Sequence, residues 1–299
     1  MKLVFLGTSA AQPTENRGLS CICLEKDGEI LMFDAGEAAQ ISFMKSGLGW
    51  NKKMKLFVTH MHGDHCIGIL GLLQTMSMQN RTETLEIFGP KGIEEFIAAN
   101  IKILNFGLSF PILITTIKEG KIFEDEKFSM HVCKANHSVT AFSYLFEEKD
   151  KPGRFNLEKA KQLGIPEGKL WSELQNGHEI IINQKTIKPE QVLGEKRPGK
   201  KIGISGDTMP TEDLEKFFED CDYLVFDSTF LDEEKQRAQD TCHSTAKQAA
   251  TLGKNAKVKN LILTHFSARY KDEVGHLKEA KEIHSSVITA RDLLEVEIK

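Results

Sequence analysis

One short segment constrains the fold and the chemistry of this chain more than any other. It places four metal-capable side chains within six residues, in the run His60-Met61-His62-Gly63-Asp64-His65. An apolar run, residues 55–59, precedes it and a helix-like run, residues 66–73, follows it, which predicts a strand-to-helix turn. Histidines two apart on an extended turn point the same way, while Asp64 and His65 project to the other side of a shared pocket. This geometry favours two neighbouring metal ions over one.

A purely structural interpretation of this segment is a turn with Asp64 as the N-cap of the following helix. Histidines are also common in packed and surface positions. The chain has only 10 histidines, however, and three of them fall within these six positions. The sequence therefore favours a metal site, and further donors are expected to complete it.

Composition limits the class of protein. The chain has 299 residues, 40% of them hydrophobic and 27% charged, so it is long enough to bury a sizeable core. No apolar segment approaches the roughly 18 residues of a transmembrane helix, and the apolar stretch at the N-terminus is too short for a signal peptide. The six cysteines form no Cys-x-x-Cys pair, which favours reduced thiols. We therefore expect a cytoplasmic protein with no membrane partner.

The apolar periodicity predicts strands that alternate with helices, as in a layered α/β domain. Before the histidine-rich segment it predicts three strands and a helix, over residues 3–6, 20–25, 30–34 and 37–45. After that segment come a strand over residues 85–88, a helix over residues 93–104 and a strand-rich stretch over residues 121–148. The final third has strands over residues 201–205, 223–227 and 258–264 and helices over residues 211–219 and 244–252.

The segment of residues 151–201 interrupts this alternation and differs in composition. It holds four of the chain's eight prolines and six glycines, with eleven Lys and Arg against six Glu. Because the whole chain carries a net charge of -4, the remainder is about nine charges negative and the positive charge is concentrated here. Two interpretations stay open: a solvated surface insertion, or an arm that grips a polyanion with clustered Lys and Arg.

Three further metal-capable side chains stand at the C-terminal edge of apolar runs. His137 follows residues 132–136, Asp207 follows the predicted strand over residues 201–205, and His265 follows residues 261–264. Loop residues at strand ends commonly carry chemistry on a rigid scaffold. Each has an ordinary explanation by itself, such as a turn for Asp207, but together with the first segment they support one another.

These motifs resemble those of a known family. Residues 60–65 occur together with Phe33-Asp34-Ala35-Gly36-Glu37, Asn136-His137-Ser138, Ser205-Gly206-Asp207-Thr208 and Leu263-Thr264-His265-Phe266-Ser267-Ala268-Arg269-Tyr270. In this order they are similar to the metallo-β-lactamase superfamily and, more narrowly, to the short-form tRNase Z (ribonuclease Z) family. The resemblance covers nearly the whole chain. The first motif is specific only to the superfamily, whereas the later motifs narrow the choice.

The resemblance implies an α/β fold, the metallo-β-lactamase αββα sandwich, as a single domain over residues 1–299. Residues 151–200 would form an inserted, basic, flexible arm that binds the body of a tRNA. Two Zn²⁺ per subunit are implied, although Mn²⁺ or Fe²⁺ could occupy the same oxygen and nitrogen donors. The implied ligands are His60, His62 and His137 for one zinc, Asp64, His65 and His265 for the other, and Asp207 as the bridge.

The function implied by the resemblance is that of a zinc-dependent endoribonuclease. Such an enzyme removes the 3' trailer from precursor tRNA by attack of a metal-bound hydroxide on the phosphodiester bond. It leaves a 3'-hydroxyl on the tRNA and a 5'-phosphate on the trailer. The family usually holds the tRNA with the arm of the opposite subunit, so a homodimer is expected.

Two loops similar to those of the family contain the remaining catalytic candidates, Phe226-Asp227-Ser228-Thr229-Phe230 and His243-Ser244-Thr245. The resemblance implies that His243, oriented by Asp227, protonates the leaving oxygen and that Asp64 also guides the proton of the attacking water. Many bacterial members have glutamate at the position of Asp227, which is one methylene longer. The second loop could also be a capped helix N-terminus, and capping is compatible with catalysis.

Candidate RNA contacts complete the implied site. Arg269 could pair with phosphate oxygens through its planar guanidinium. Gln79, Asn80 and Arg81 lie where the family reads the RNA 3' end, although this run could equally be an ordinary polar loop.

Two other functions are compatible with the first motif. One is a small-molecule hydrolase of the same superfamily, such as a lactonase, a β-lactamase-like esterase or a phosphodiesterase. The other is a non-catalytic RNA-binding module. The basic segment argues against the first function, and the complete ligand set argues against the second.

Overall fold

Two seven-stranded sheets dominate the computed structural model of the protein, which describes all 299 residues. The strands are β1 (Lys2–Gly7), β2 (Ser9–Ala10), β3 (Cys21–Lys26), β4 (Glu29–Phe33), β5 (Lys53–Phe57), β6 (Leu85–Gly89), β7 (Ile112–Thr116), β8 (Gly120–Glu124), β9 (Phe128–Lys134), β10 (Phe142–Glu148), β11 (Ile180–Ile182), β12 (Lys185–Ile187), β13 (Lys201–Ile204), β14 (Tyr223–Asp227), β15 (Asn260–Thr264), β16 (Phe266–Ser267), β17 (Val287–Thr289) and β18 (Glu295–Glu297). The helices are α1 (Ala39–Ser46), α2 (Gly63–Cys66), α3 (Gly68–Met78), α4 (Ile93–Leu104), α5 (Leu157–Gln162), α6 (Lys169–Gln175), α7 (Glu212–Phe217), α8 (Lys235–Asp240), α9 (Ala246–Asn255) and α10 (Val274–Lys281). Two short 3-10 helices span Pro189–Gln191 and Asp232–Glu234.

The two sheets form the layers of the predicted sandwich. Their strand orders are β18-β1-β3-β4-β5-β6-β7 and β17-β15-β14-β13-β10-β9-β8. One apolar cluster joins the first sheet to α1, α3 and α4, and another joins the second sheet to α7, α9 and α10. Between the sheets, Tyr144 of β10 packs edge-on against Phe33 of β4 and Phe57 of β5. Helices thus cover the outer faces, and the predicted αββα architecture is confirmed.

The predicted elements agree with the structure except near some ends. Helix α4 and strand β14 have the bounds that the periodicity predicts. Helix α1 begins two residues later than predicted, because Ala38 has a left-handed backbone with φ of 61° and cannot be part of the first turn. Such a local conformation is set by the loop before the helix and leaves no mark in the apolar periodicity.

Parallel strands bring the loops of both sheets to one edge. In the first sheet β4 and β5 are parallel, with Phe33 opposite Phe57. In the second sheet β13, β14 and β15 are parallel, with Asp227 opposite Thr264. Because parallel strands end on the same side, the segments that follow β4, β5, β13, β14 and β15 meet there.

Two glycines allow the loop after β4 to lie directly against the start of α3. A Cβ atom on Gly68 would stand 1.8 Å from the Gly36 carbonyl oxygen, and a Cβ atom on Gly36 would stand 2.5 Å from the Asp64 carbonyl oxygen. Only glycine fits at these two positions. The close approach fixes the histidine-rich turn against the first sheet.

The chain divides into two compact units. The larger consists of Met1–Phe123, Met130–Phe146 and Lys201–Lys299, and the smaller of Glu124–Ser129 and Glu147–Lys200. The smaller unit contains α5, α6 and the hairpin β11–β12 around its own apolar cluster, which includes Ile165, Leu174 and Val192. The predicted arm, residues 151–200, lies inside this unit.

None of the ten helices combines the length and the apolar character needed to cross a membrane. None of the six cysteines forms a disulfide.

Candidate metal centre

The first donor group consists of three imidazole nitrogens that face a common point. His60 Nε2 lies 3.0 Å from His62 Nδ1, which lies 3.1 Å from His137 Nε2. His60 follows β5, His62 is the N-cap of α2, and His137 lies in the turn between β9 and β10. The structure therefore brings together the three residues that the resemblance implies for one zinc.

The second donor group combines two imidazoles with two carboxylates. His65 Nε2 and His265 Nε2 lie 3.4 Å apart, and each is 3.6 Å from Asp64 Oδ2. Each is also 3.2 Å from Asp207 Oδ1. His65 belongs to α2, and His265 follows β15 with a left-handed φ of 62°, a strained backbone that is common at functional sites.

Asp207 lies between the two groups. Its Oδ1 atom faces His65 and His265, while its Oδ2 atom is 3.7 Å from His60 Nε2 in the first group. The residue is 3% exposed and follows β13 at the edge where the parallel strands end. One carboxylate thus offers one oxygen to each group, which is the arrangement that a bridging ligand needs.

A buried hydrogen-bond network fixes the orientation of His60 and His65. Asp34 accepts hydrogen bonds from Thr59 N at 2.7 Å, from Thr59 Oγ1 at 2.8 Å and from His65 Nδ1 at 2.7 Å. Because the Thr59 hydroxyl donates to Asp34, its oxygen accepts from His60 Nδ1 at 2.9 Å. Both rings therefore carry a proton on Nδ1 and turn Nε2 toward the donor groups.

Hydrogen bonds to Nδ1 also orient the histidines that lie next to strands of the second sheet. Thr229 Oγ1 donates to Asp227 Oδ1 at 2.7 Å, so it accepts from His265 Nδ1 at 3.0 Å. His137 Nδ1 donates to the Cys242 carbonyl oxygen at 3.0 Å. Four of the five clustered histidines thus have Nδ1 occupied by a neighbour and Nε2 directed at the site, as metal-binding histidines usually do.

Burial keeps two histidines of the first donor group neutral. It lowers the pKa of His60 to about 2, with a further contribution from the charge of His65. Burial also lowers the pKa of His137. Neutral imidazoles have a free lone pair at neutral pH, which is the state that binds a metal ion.

The carboxylates of the second donor group stay ionised despite their burial. Burial alone would raise the pKa of Asp64 and Asp207, but the neighbouring His65 and His265 hold both pKa values below the usual range. Burial would likewise lower the pKa of His65, yet the carboxylates of Asp207 and Asp34 raise it well above its usual value. The carboxylates are therefore ionised, and the group favours a positive charge at its centre.

The spacing of the donors fits a transition metal. Zinc binds histidine nitrogen at about 2.0–2.1 Å, so two nitrogens on one tetrahedral zinc lie about 3.3 Å apart. The nitrogens of the first group are 3.0 and 3.1 Å apart, and those of the second are 3.4 Å apart. Without an ion, His62 Nδ1 would face the Nε2 atoms of both His60 and His137, and a single N–H group cannot satisfy both well. The donor set of imidazole and carboxylate suits zinc, manganese or iron.

A second pair of side chains borders both donor groups. His243 Nδ1 donates to Asp227 Oδ2 at 2.8 Å, and Asp227 is fully buried. The His243 ring lies 5.1 Å from the His137 ring and 5.2 Å from the His265 ring, measured between centroids. Burial lowers the pKa of His243, but the Asp227 carboxylate raises it more, to a net value of about 9. An aspartate is therefore long enough to reach His243, and the imidazole is protonated at neutral pH.

Three of the four candidate RNA contacts lie at the surface. Gln79 and Asn80 are exposed at the end of α3. Arg269 is partly exposed, is ion-paired with Glu234 and lies over the ring of Phe230.

The fourth candidate, Arg81, is not available for an RNA contact. It is 0% exposed, and its guanidinium donates to the carbonyl oxygens of Trp50, Lys52 and Thr84. Because Arg81 is buried, the prediction that it contacts the RNA 3' end is wrong. Arginine can bury its charge where several carbonyl oxygens satisfy its N–H groups, so a polar loop sequence does not by itself indicate exposure.

Sequence reasoning from single residues did not identify the residues that orient the ligands. Asp34 directly follows β4, so it had the same strand-end signal as Asp207 and His265. Thr59 and Thr229 had no such signal, because the role of a threonine hydroxyl depends on which neighbours the fold brings to it. The four remaining histidines lie outside the centre: His131, His178, His276 and His284.

Comparisons with known proteins agree with this geometry. A family model described as "Anti-Pycsar protein Apyc1" matches residues 1–150, and one described as "Beta-lactamase superfamily domain" matches residues 182–266. The chain is 85% identical over 299 residues to ribonuclease Z of Nitrosopumilus maritimus, covering 100% of both proteins. It is 40% identical over 299 residues to ribonuclease Z of Methanosarcina acetivorans, covering 100% of this chain and 98% of that protein. Among solved structures, the short form of human tRNase Z is similar with a TM-score of 0.73 and 28% identity, covering 100% of both chains.

Proposed function

Because this chain belongs to the ribonuclease Z family, we propose that its two donor groups hold two zinc ions that cleave precursor tRNA. The chain is an endoribonuclease that processes the 3' end of tRNA by hydrolysis of a phosphodiester bond. The metals, the catalytic side chains and the RNA-binding surface are proposals, and each follows from a particular part of the structure.

The convergence of the buried donors carries the metal proposal. His60, His62 and His137 would hold one ion, and Asp64, His65 and His265 the other, with Asp207 shared between them. When bound, such an ion pair supplies charge stabilisation for a phosphate and lowers the pKa of water. Manganese or iron in the same positions is an alternative that the donor types allow.

His243 is proposed as the general acid. Its Nδ1 atom is held by Asp227, so Nε2 is the nitrogen that can give a proton to the departing 3'-oxygen of the tRNA. The proton is present at neutral pH because Asp227 raises the pKa of His243. Asp227 is itself fixed by donors from Thr208 N and Thr229 N, at 3.1 and 2.9 Å, so it acts as a rigid orienting group.

Other side chains would bind the RNA and take up the proton that the attacking water loses. Asp64, besides its place in the second donor group, would accept the proton of the attacking water. Arg269 would neutralise a phosphate of the bound strand, and the exposed Gln79 and Asn80 would contact the 3' end.

The smaller unit is proposed as the surface that binds the tRNA body. The basic residues between positions 151 and 197 are all exposed: Lys151, Arg154, Lys159, Lys161, Lys169, Lys185, Lys188, Lys196 and Arg197. Lys and Arg in such a cluster bind phosphates without base preference. A homodimer in the cytoplasm, in which this unit serves the opposite subunit, follows from the family resemblance and is part of the proposal.

Deletion of residues 153–198 should separate RNA recognition from chemistry. Lys151 and Arg197 are joined by two backbone hydrogen bonds of 2.9 Å, so the two ends of the deletion are neighbours and a short glycine linker can close them. We expect kcat/KM for precursor tRNA to fall about a hundredfold or more, because several phosphate contacts are lost. Hydrolysis of a small phosphodiester should stay within about twofold, since the donor groups and His243 belong to the larger unit.

Charge variants provide the matched control for this deletion. Lys159→Gln with Lys161→Gln changes two exposed residues of α5. The slope of log KM against log salt concentration should then fall by about one unit for each lysine that is replaced. Glu158→Gln on the same helix should not weaken it. If the deletion leaves processing of precursor tRNA intact, or if it abolishes both activities together, the smaller unit is not the tRNA-binding surface.

A further inference from the structure

Arg269 has a contact that phosphate binding does not explain. Its Nη1 atom forms an ion pair with a carboxylate oxygen of Glu234, and the two side chains are 28% and 34% exposed. Glu234 ends the 3-10 helix Asp232–Glu234, which follows β14 in the sequence. A cation that should meet the RNA backbone is thus already held by an anion from a neighbouring loop.

An aromatic ring fixes the other side of the same guanidinium. The Arg269 Cζ atom lies 5.3 Å from the centroid of the Phe230 ring, and that ring lies 6.3 Å from the His243 ring. Phe230 is 5% exposed, its N–H donates to the Ser244 carbonyl oxygen at 3.2 Å, and its own carbonyl oxygen accepts from Ala246 N at 2.9 Å. The platform under Arg269 is therefore tied to the segment that carries His243.

The ion pair leaves most of the guanidinium available. A guanidinium has five N–H donors in a planar fork, and Nη1 is the atom that pairs with Glu234. A long arginine side chain loses rotamer freedom when it binds, and a side chain that is already held loses less. Glu234 and Phe230 thus both contact the Arg269 guanidinium in the free protein.

We propose that Glu234 is a positioning residue that holds Arg269 over the ring of Phe230, with the remaining N–H donors directed at a phosphate of the bound RNA. This inference rests on the proposed phosphate-binding role of Arg269. It predicts that removal of the Glu234 carboxylate changes RNA binding in the direction opposite to the one expected from charge alone. Removal of a negative charge near a polyanion should by itself strengthen RNA binding, whereas removal of a positioning carboxylate should weaken productive binding.

Steady-state kinetics on precursor tRNA test the proposal with four single variants and one double variant. Glu234→Ala should lower kcat/KM about tenfold, mainly through KM, because Arg269 then samples several rotamers. Glu234→Gln keeps an acceptor oxygen at the same position and should retain activity within about threefold. Glu233→Ala removes a charge from the adjacent, exposed residue and reports the purely electrostatic effect. Glu234→Ala should add nothing in an Arg269→Ala background.

The outcomes separate this inference from the function on which it rests. If Arg269→Ala is impaired while Glu234→Ala is as active as the unchanged protein or more active, the positioning role is wrong and the phosphate contact stands. A fall in Glu234→Ala that persists in the Arg269→Ala background would also overturn it, because Glu234 would then act elsewhere. If Arg269→Ala itself has no effect, the phosphate role of Arg269 fails first.

Discussion

Replacing Asp207 by alanine is expected to remove both metal ions and to lower cleavage of precursor tRNA about 10³- to 10⁴-fold. Asp207 faces both donor groups, with Oδ1 at 3.2 Å from His65 and His265 Nε2 and Oδ2 at 3.7 Å from His60 Nε2. A metal ion contributes several kcal/mol of charge stabilisation, and each 1.36 kcal/mol of barrier corresponds to about a tenfold change in rate.

Elemental analysis together with single-turnover cleavage measures this effect. The unchanged protein should contain two zinc ions per chain after loading, and the Asp207→Ala variant should contain fewer than one. Asp240→Ala, which alters an exposed aspartate on α8, is the matched control and should keep both ions and full activity. An Asp207→Ala protein that binds two ions, or that cleaves at a nearly normal rate, would show that Asp207 does not bridge them.

Replacing His243 by alanine is expected to lower kcat on precursor tRNA by about 10²- to 10⁴-fold, the usual contribution of a general acid. Zinc content and tRNA binding should stay nearly unchanged, because the Nδ1 atom of His243 is held by Asp227 and His243 is not one of the seven proposed ligands. Asp227→Asn should show a smaller loss of the same kind. It keeps the shape of the orienting residue but removes the charge that raises the pKa of His243.

A substrate with a good leaving group distinguishes acid catalysis from a structural role. A nitrophenyl phosphodiester releases a phenolate that needs no proton, so its hydrolysis should be almost the same in His243→Ala and in the unchanged protein. Precursor tRNA releases a 3'-alkoxide, which does need one. Equal losses on both substrates, or a loss of zinc, would contradict the assignment of His243 as the acid.

The donors of the centre were predictable because they share one physical signal. His137, Asp207 and His265 each follow an apolar run, as the histidine-rich segment does, and the structure shows that parallel strands bring the ends before His60, Asp207 and His265 to one edge. The alternation of strands and helices predicted a layered α/β domain, whereas the αββα sandwich was implied by the family resemblance.

Features that depend on long-range contacts had no such signal. Arg81 lies in a polar sequence but turns inward, where its two Nη atoms donate to the carbonyl oxygens of Trp50, Lys52 and Thr84. The hydroxyl of Thr59 acquires its role only because Asp34, 25 residues earlier, lies beside it. The pairing of Glu234 with Arg269 likewise joins two loops that are distant in sequence. Local periodicity predicts elements, whereas these contacts arise from how the elements pack.

One measurement tests the central claim most directly, that this centre is a metal-dependent nuclease for precursor tRNA. Zinc-loaded protein is incubated with a precursor tRNA that carries a 3' trailer and, in parallel, with a panel of lactones, and the specificity constants are compared. We predict efficient trailer removal that leaves a 3'-hydroxyl on the tRNA, is lost on chelation and returns when zinc is restored, with far slower lactone hydrolysis. Preferential turnover of a lactone, or cleavage of the tRNA that persists in the chelated protein, would contradict the account.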